Sequence, residues 1–311
     1  MDLKEAVATL NGSFSFGNSV LYNMCSDTNT DISNPKHLSD MIWLIGRAYA
    51  ASPERRTYGY ERDANGKVKT NNRKRFPLWT ATNADDGKGQ YFAEIAKTIT
   101  THDEFSKLKD IVDTLKASVY TYDNTDNDIK RLCDGIRAVE LFNQLIRESS
   151  EKFDGLYEDN EKAKKARDAK ARCKNQISFC SKFLHFCCPN IVFIIDQYSY
   201  DGGKKLIPQK KRAYSLVFEK RAGNFMDLED VDLLNAYKTV CKSVEAEISN
   251  VESMDQNGDL LSNENEKISS YAQHCVRAYC VAKYLSEGKQ DEKATPRLID
   301  DLFLRIKKKE E

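Results

Sequence analysis

The sequence predicts an all-α protein. Apolar residues recur at helical spacing along most of the chain, strand-like alternation is scarce, and 311 residues include only 6 prolines and 14 glycines. A chain of this length can bury a sizeable core, as one large domain or two smaller lobes. The pattern divides near Asn127, into an N-terminal helical lobe with a basic loop (1–127) and a C-terminal helical lobe (128–311).

From the N-terminus, His37–Ala51, Tyr91–Ile99, Ile129–Arg147, Gln176–Cys188, Leu228–Ile248, Ile268–Leu285 and Thr295–Ile306 each read as an amphipathic helix. Ser52-Pro53-Glu54 and Thr295-Pro296 look like helix starts: a capping hydroxyl precedes a proline whose missing N–H costs nothing in the first turn. Glu158–Lys174 is rich in Lys, Arg, Ala, Glu and Asp and reads as a solvated helix. Glu61–Arg75 and Ser249–Glu266 read as loops, and no internal repeat is visible.

Composition narrows the function classes. Lys and Arg total 48 and so do Asp and Glu, so a nucleic-acid partner requires the basic residues to be gathered on one face. No apolar run is long enough to span a bilayer, and Met1-Asp2-Leu3-Lys4-Glu5 is no signal peptide, which leads to the expectation of a soluble, cytoplasmic protein with no membrane partner. The nine cysteines include no CxxC pair and are odd in number, which argues for reduced core thiols rather than a disulfide framework.

The most informative stretch is Ser178–Ser199, SFCSKFLHFCCPNIVFIIDQYS. Lys182 lies on a short apolar helix among Phe179, Cys180, Phe183, Leu184 and Phe186, where a long cation seldom sits unless it escapes, finds a partner or does chemistry. His185 and Phe186 follow at i+3 and i+4 on its face. Pro189-Asn190 ends the helix, and Ile191–Ile195 leads to Asp196, placed to cap a helix starting at Gln197 where the helix dipole favours an ionised carboxylate. A lysine and a carboxylate so connected suggest a compact two-residue site.

This arrangement resembles the helix-hairpin-helix DNA glycosylases, most of all their archaeal 8-oxoguanine glycosylase branch. Ser181-Lys182-Phe183-Leu184 matches the family's lysine step and Phe193-Ile194-Ile195-Asp196 its aspartate step. Two departures stand beside the match: Asn175-Gln176-Ile177-Ser178 lacks the glycines of the family's hairpin turn, and the lysine-to-aspartate interval is shorter. The resemblance implies a two-lobed helical glycosylase without metal or cofactor, acting on double-stranded DNA with a flipped modified base. Lys182 would attack C1′ through a Schiff-base route, with or without strand cleavage, and Asp196 would stabilise the charge developing on the sugar. Bacterial anti-phage glycosylases that remove glucosylated hydroxymethylcytosine are a plausible relative. The sugar-bearing base would need a wide polar pocket, to which His185, Gln197, Tyr198 and the Arg47–Arg56 segment could contribute, while Trp43, Tyr49, Trp79 and Tyr198 are candidates to hold it.

Arg47, Tyr49, Ser52, Arg55 and Arg56 form the second signal, a helix stop and restart able to present guanidinium and N–H groups to phosphates. Arg62, Lys67, Lys69, Arg73, Lys74 and Arg75 extend it against Glu61 and Asp63. Asp255–Glu266 has Leu260 where a calcium loop needs glycine and Ser262 where it is usually apolar, so it reads as an acidic surface loop. Cys173, Cys180 and Cys187 stand two helical turns apart, too far to share one metal, and His274-Cys275 with Cys280 forms no zinc pattern. Two readings compete with the glycosylase: a non-catalytic helical nucleic-acid-binding or regulatory module that does not depend on Lys182, and a small-molecule enzyme with a Schiff-base lysine.

Overall fold

The structure is a computed structural model, and it describes residues 21–25, 31–48, 56–62, 68–77, 86–123, 125–155, 176–207, 231–252, 268–287 and 294–308. These residues are mostly helical. In chain order the elements are α1 (Pro35–Ala48), β1 (Arg56–Arg62), β2 (Val68–Pro77), α2 (Asp86–Thr100), α3 (Phe105–Lys116), α4 (Thr125–Gly155), α5 (Ile177–Cys187), α6 (Gln197–Leu206), α7 (Val231–Glu252), α8 (Ser270–Ser286) and α9 (Pro296–Lys308). Residues 21–25 are also helical.

All seven expected amphipathic segments contain a helix, with shifted ends. The start expected at Thr295-Pro296 is present, with Leu298 N donating to Thr295 Oγ1 at 3.3 Å. Three elements, α3, β1 and β2, were not anticipated. α3 carries Phe105, Leu108, Val112 and Leu115 buried at helical spacing. The Glu61–Arg75 loop is corrected: most of it belongs to an antiparallel hairpin pairing Arg56 with Pro77, Tyr58 with Arg75 and Tyr60 with Arg73. Asn65-Gly66 between runs bearing Tyr, Thr and Val is the hairpin signal that helical periodicity obscures. The Glu158–Lys174 helix, the Ser52-Pro53-Glu54 start and the Asp255–Glu266 loop lie outside the described residues, while Ser249–Glu252 of the loop expected at Ser249–Glu266 instead continue α7.

The chain forms two compact units assembled from separated stretches. One comprises Met1–Asp27, Asp110–Glu140 and Cys180–Glu311, the other Thr28–Lys109 and Leu141–Phe179. Both sides of the expected division at 127/128 fall in the first unit. In the second unit α1 packs on α2, and Ile42, Ile45, Ile95 and Ile99 are buried. His102 Nε2 lies 2.8 Å from Glu148 Oε2.

The first unit is organised around α8, which contacts α6, α7 and α9. Tyr271 through Ala282 are all buried, so the stripe expected there widens to the whole circumference, as in a helix enclosed by others. Ser269 caps α8 by accepting Ala272 N at 3.0 Å. Buried Arg277 donates from Nε to the Ile207 carbonyl at 3.0 Å and lies over the Tyr237 ring, which fixes the C-terminal end of α6.

Candidate active site

α5 and α6 are joined by a stretch whose backbone is satisfied mostly by side chains. Leu184 O accepts Cys188 N, and Cys188 O accepts both Ile191 N and Val192 N, which turns the chain at Pro189-Asn190. Residues 192–196 then run without helix or ladder, although Ile191 through Ile195 are buried. Buried carbonyls need donors. Tyr120 OH donates to Ile191 O (3.0 Å), His185 Nδ1 to Val192 O (2.8 Å), Tyr271 OH to Phe193 O (3.0 Å) and His274 Nε2 to Ile194 O (2.8 Å). Ile195 N donates to Ser181 Oγ at 3.1 Å.

Because a carbonyl can only accept, His185 carries its proton on Nδ1, and Nε2 accepts from Tyr22 OH at 2.5 Å. Burial pushes the pKa values of both His185 and His274 down to about 4, against the raising effect of their carbonyl partners. The two imidazoles are neutral props of the return segment. His185, expected on the substrate pocket, is instead fully buried with both ring nitrogens engaged.

The Ser181–Ile195 bond lies immediately beside Lys182 and Asp196 and sets their approach. Lys182 Nζ is 3.6 Å from Asp196 Oδ2, an ion-pair distance longer than a hydrogen bond, with the lysine side chain 9% and the aspartate 27% exposed. Asp196 is in an extended conformation and caps α6. Its Oδ1 accepts Ser199 N at 2.9 Å, and Ser199 Oγ accepts Asp196 N at 2.9 Å. The carboxylate is thus divided: one oxygen closes the helix, the other faces the ammonium.

A third ionisable group that sequence reading missed belongs to this neighbourhood. Asp300 on α9 is buried, and Arg297 Nη1 donates to its Oδ2 at 3.2 Å. Its pKa is raised to about 7, chiefly by burial, with Arg297 opposing, Asp196 and Asp301 adding to the rise and Lys182 opposing it. α9 packs closely on α6 because Gly202 and Gly203 remove two side chains: a Cβ on Gly202 would stand 2.1 Å from the Phe303 carbonyl oxygen. Asp300 precedes Phe303 by one turn on α9, and Asp196 and Lys182 act on it electrostatically. Its signal in the sequence was the pair of small residues on α6 and an acidic residue on the apolar stripe of α9.

Gln197 and Tyr198 open α6 next to Asp196, both exposed; Tyr198 is 51% exposed, and Gln197 Nε2 donates to Asp201 Oδ1. Arg47 falls in α1 and Arg56 in β1, both in the other unit. Tyr49, Ser52, Arg55 and Trp79 lie outside the described residues, and Trp43 on α1 is exposed. Among the described residues no group of three or more His, Cys, Asp or Glu is placed to hold a metal, and no helix is long and apolar enough to cross a membrane. Cys180, Cys187 and Cys188 are buried thiols. No family model, no curated protein and no solved structure matches the chain.

Proposed function

We propose that the chain is a helical DNA glycosylase that excises a modified base through Lys182 and Asp196. The supporting observation is the ammonium held 3.6 Å from the α6 capping carboxylate by a return segment fixed at consecutive residues. Stability gives little reason for such a pair, since a buried ion pair roughly breaks even against apolar side chains of the same volume. Chemistry gives one. Once Lys182 has lost a proton, its nitrogen bonds to C1′ of a flipped nucleotide, the glycosidic bond breaks with its electron pair on the departing base, and that base takes up a proton. Asp196, at the N-terminus of α6, stabilises the positive charge on the sugar.

Double-stranded DNA is the partner this reading requires. The hairpin supports it, as a two-stranded ribbon in which tyrosines of β1 pair with arginines of β2, a form suited to a nucleic-acid groove. Exposed Gln197 and Tyr198 beside Asp196 suit a base with a polar substituent, glucosylated hydroxymethylcytosine of phage DNA being the leading candidate. The test is base release from unmodified, 8-oxoguanine, hydroxymethylcytosine and glucosylated phage DNA, with borohydride added in parallel. Release from one modified DNA, with a covalent adduct that disappears in Lys182→Ala, is the expected result. Release without an adduct would assign the attack to water; no release from any substrate would overturn the reading. The second reading, a non-catalytic nucleic-acid-binding module, draws on the capping box, which already gives Asp196 a structural task; it requires Lys182→Ala to retain cellular activity.

A further inference from the structure

The formal charge of the chain is zero, yet positive charge is concentrated in the hairpin: from Arg56 to Pro77 seven lysines and arginines stand against Glu61 and Asp63. The register sorts that charge further. Residues opposed across an antiparallel pair lie on the same face, and the faces alternate along each strand. Arg56, Tyr58 and Tyr60 of β1 therefore share one face with Arg73 and Arg75 of β2, while Thr57, Gly59, Lys74 and Phe76 take the other. Charge that only keeps a strand edge from pairing has no reason to sort by face. Among the described residues neither strand packs closely on another element, and a lone two-stranded hairpin is marginal in water. A partner that binds the paired form would stabilise it.

We propose that the β1–β2 hairpin is a duplex-DNA anchor, which holds phosphates of both DNA strands through the face bearing Arg56, Tyr58, Tyr60, Arg73 and Arg75. Guanidinium groups bind phosphate oxygens through two parallel hydrogen bonds, and tyrosine hydroxyls donate to them singly. Arginines stand on both strands of the ribbon, as an element lying between two rows of phosphates requires; a single nucleic-acid strand offers one row. Duplex DNA carries a charge about every 1.7 Å along its axis, so each contact releases counter-ions and strengthens binding without regard to sequence. The hairpin belongs to the unit containing Thr28–Lys109, whereas Lys182 and Asp196 belong to the other. Anchoring the duplex and choosing the base are then separate tasks of separate residues. The choice of DNA as the polyanion rests on the glycosylase reading; the sorting of cations onto one face does not.

Binding of the full chain to a short, fluorescently labelled, unmodified duplex is measured by anisotropy across a salt series. The unaltered chain should bind with an affinity that falls steeply as salt rises. Arg75→Ala should flatten the log–log salt slope by about one, and Arg73→Ala/Arg75→Ala by about two, with binding about tenfold weaker or more at low salt. Lys74→Ala removes a charge from the same strand but the opposite face, and should leave slope and affinity nearly unchanged. Arg73→Lys/Arg75→Lys keeps the charges and should restore the slope, which separates lost contacts from a lost hairpin. Equal losses in Lys74→Ala and Arg75→Ala overturn the proposal, because the face would then be irrelevant. A lysine pair that leaves the slope flat, no binding of any duplex, or tighter binding of the matching single strand overturns it too. Face-dependent binding without base release from any DNA would keep the anchor and sink the glycosylase. Base release by Arg73→Ala/Arg75→Ala at an unchanged KM would keep the glycosylase and sink the anchor.

Discussion

Asp128 at the start of α4 and Asp300 on α9 are both buried, each with an arginine three residues away, yet their surroundings differ sharply. Asp128 is saturated. Thr121 N and Arg131 Nη1 donate to Oδ1 at 3.1 and 2.9 Å, and Tyr122 N and Tyr279 OH donate to Oδ2 at 2.7 and 3.4 Å. These bonds also hold Tyr122 at φ 61, a left-handed conformation that a bulky side chain disfavours. Asp300 has Arg297 and one bare oxygen. The first aspartate is a joint, with every lone pair spent on geometry; the second retains capacity for a proton. Burial is common to both, so the number of donors is what separates them.

The largest expected effect follows from the joint. Asp128→Ala removes the partner of two backbone N–H groups and a partly buried arginine, and should cost about 3–5 kcal/mol in denaturant unfolding. Asp300→Asn should cost far less, because it replaces a poorly solvated acid with a neutral group of the same shape. Equal losses would mean that Asp300 is a structural acid like Asp128, and the contrast would be void.

The next effect is smaller and has a sign set by pH. The folded chain raises the Asp300 pKa from 3.8 to about 7, so it retains a proton through a range where the unfolded chain has released it. The resulting stabilisation is complete below the unfolded value and is lost as pH rises through the folded one. Unfolding free energy should therefore gain a component that falls between about pH 4 and 7, on the order of 4 kcal/mol, and Asp300→Asn should lack it. His185 and His274 act in the opposite direction. Their depressed values place their contribution above the unfolded imidazole range and remove it as pH falls toward about 4. Subtracting the wild-type pH profile of unfolding from that of Asp300→Asn isolates the acid from the imidazoles.

How much of this was legible in sequence depended on how far apart the partners lie. The apolar helix of Lys182, its stop at Pro189-Asn190 and the cap at Asp196 are local, and all three were readable from spacing. The donors that fix the return segment were not, since Tyr120, Tyr271 and His274 come from stretches about 70 to 80 residues away in sequence. His185 was misread for the same reason: its place on the lysine face is a local property, whereas its burial depends on Tyr22 and Val192. Asp300 is not legible because the groups that act on its charge, Lys182 and Asp196, belong to other elements. The hairpin is hidden by the period of 3.6 that dominates the rest of the chain.

The smallest prediction sharpens the division between frame and site. Tyr271→Phe keeps the ring inside the unit and withdraws only the hydroxyl that serves Phe193 O, leaving one buried carbonyl without that donor. It should cost about 1–2 kcal/mol, measured as a shift of the urea midpoint at unchanged slope. The substitution touches none of the groups that charge Asp300, so the pH at which the Asp300 contribution to stability is lost should stay near 7. If that pH moves with the midpoint, the return segment must tune the acid as well as support it. Frame and site would then be one hydrogen-bonded network, and the surplus proton capacity at Asp300 would be a property of that network rather than of one vacant oxygen.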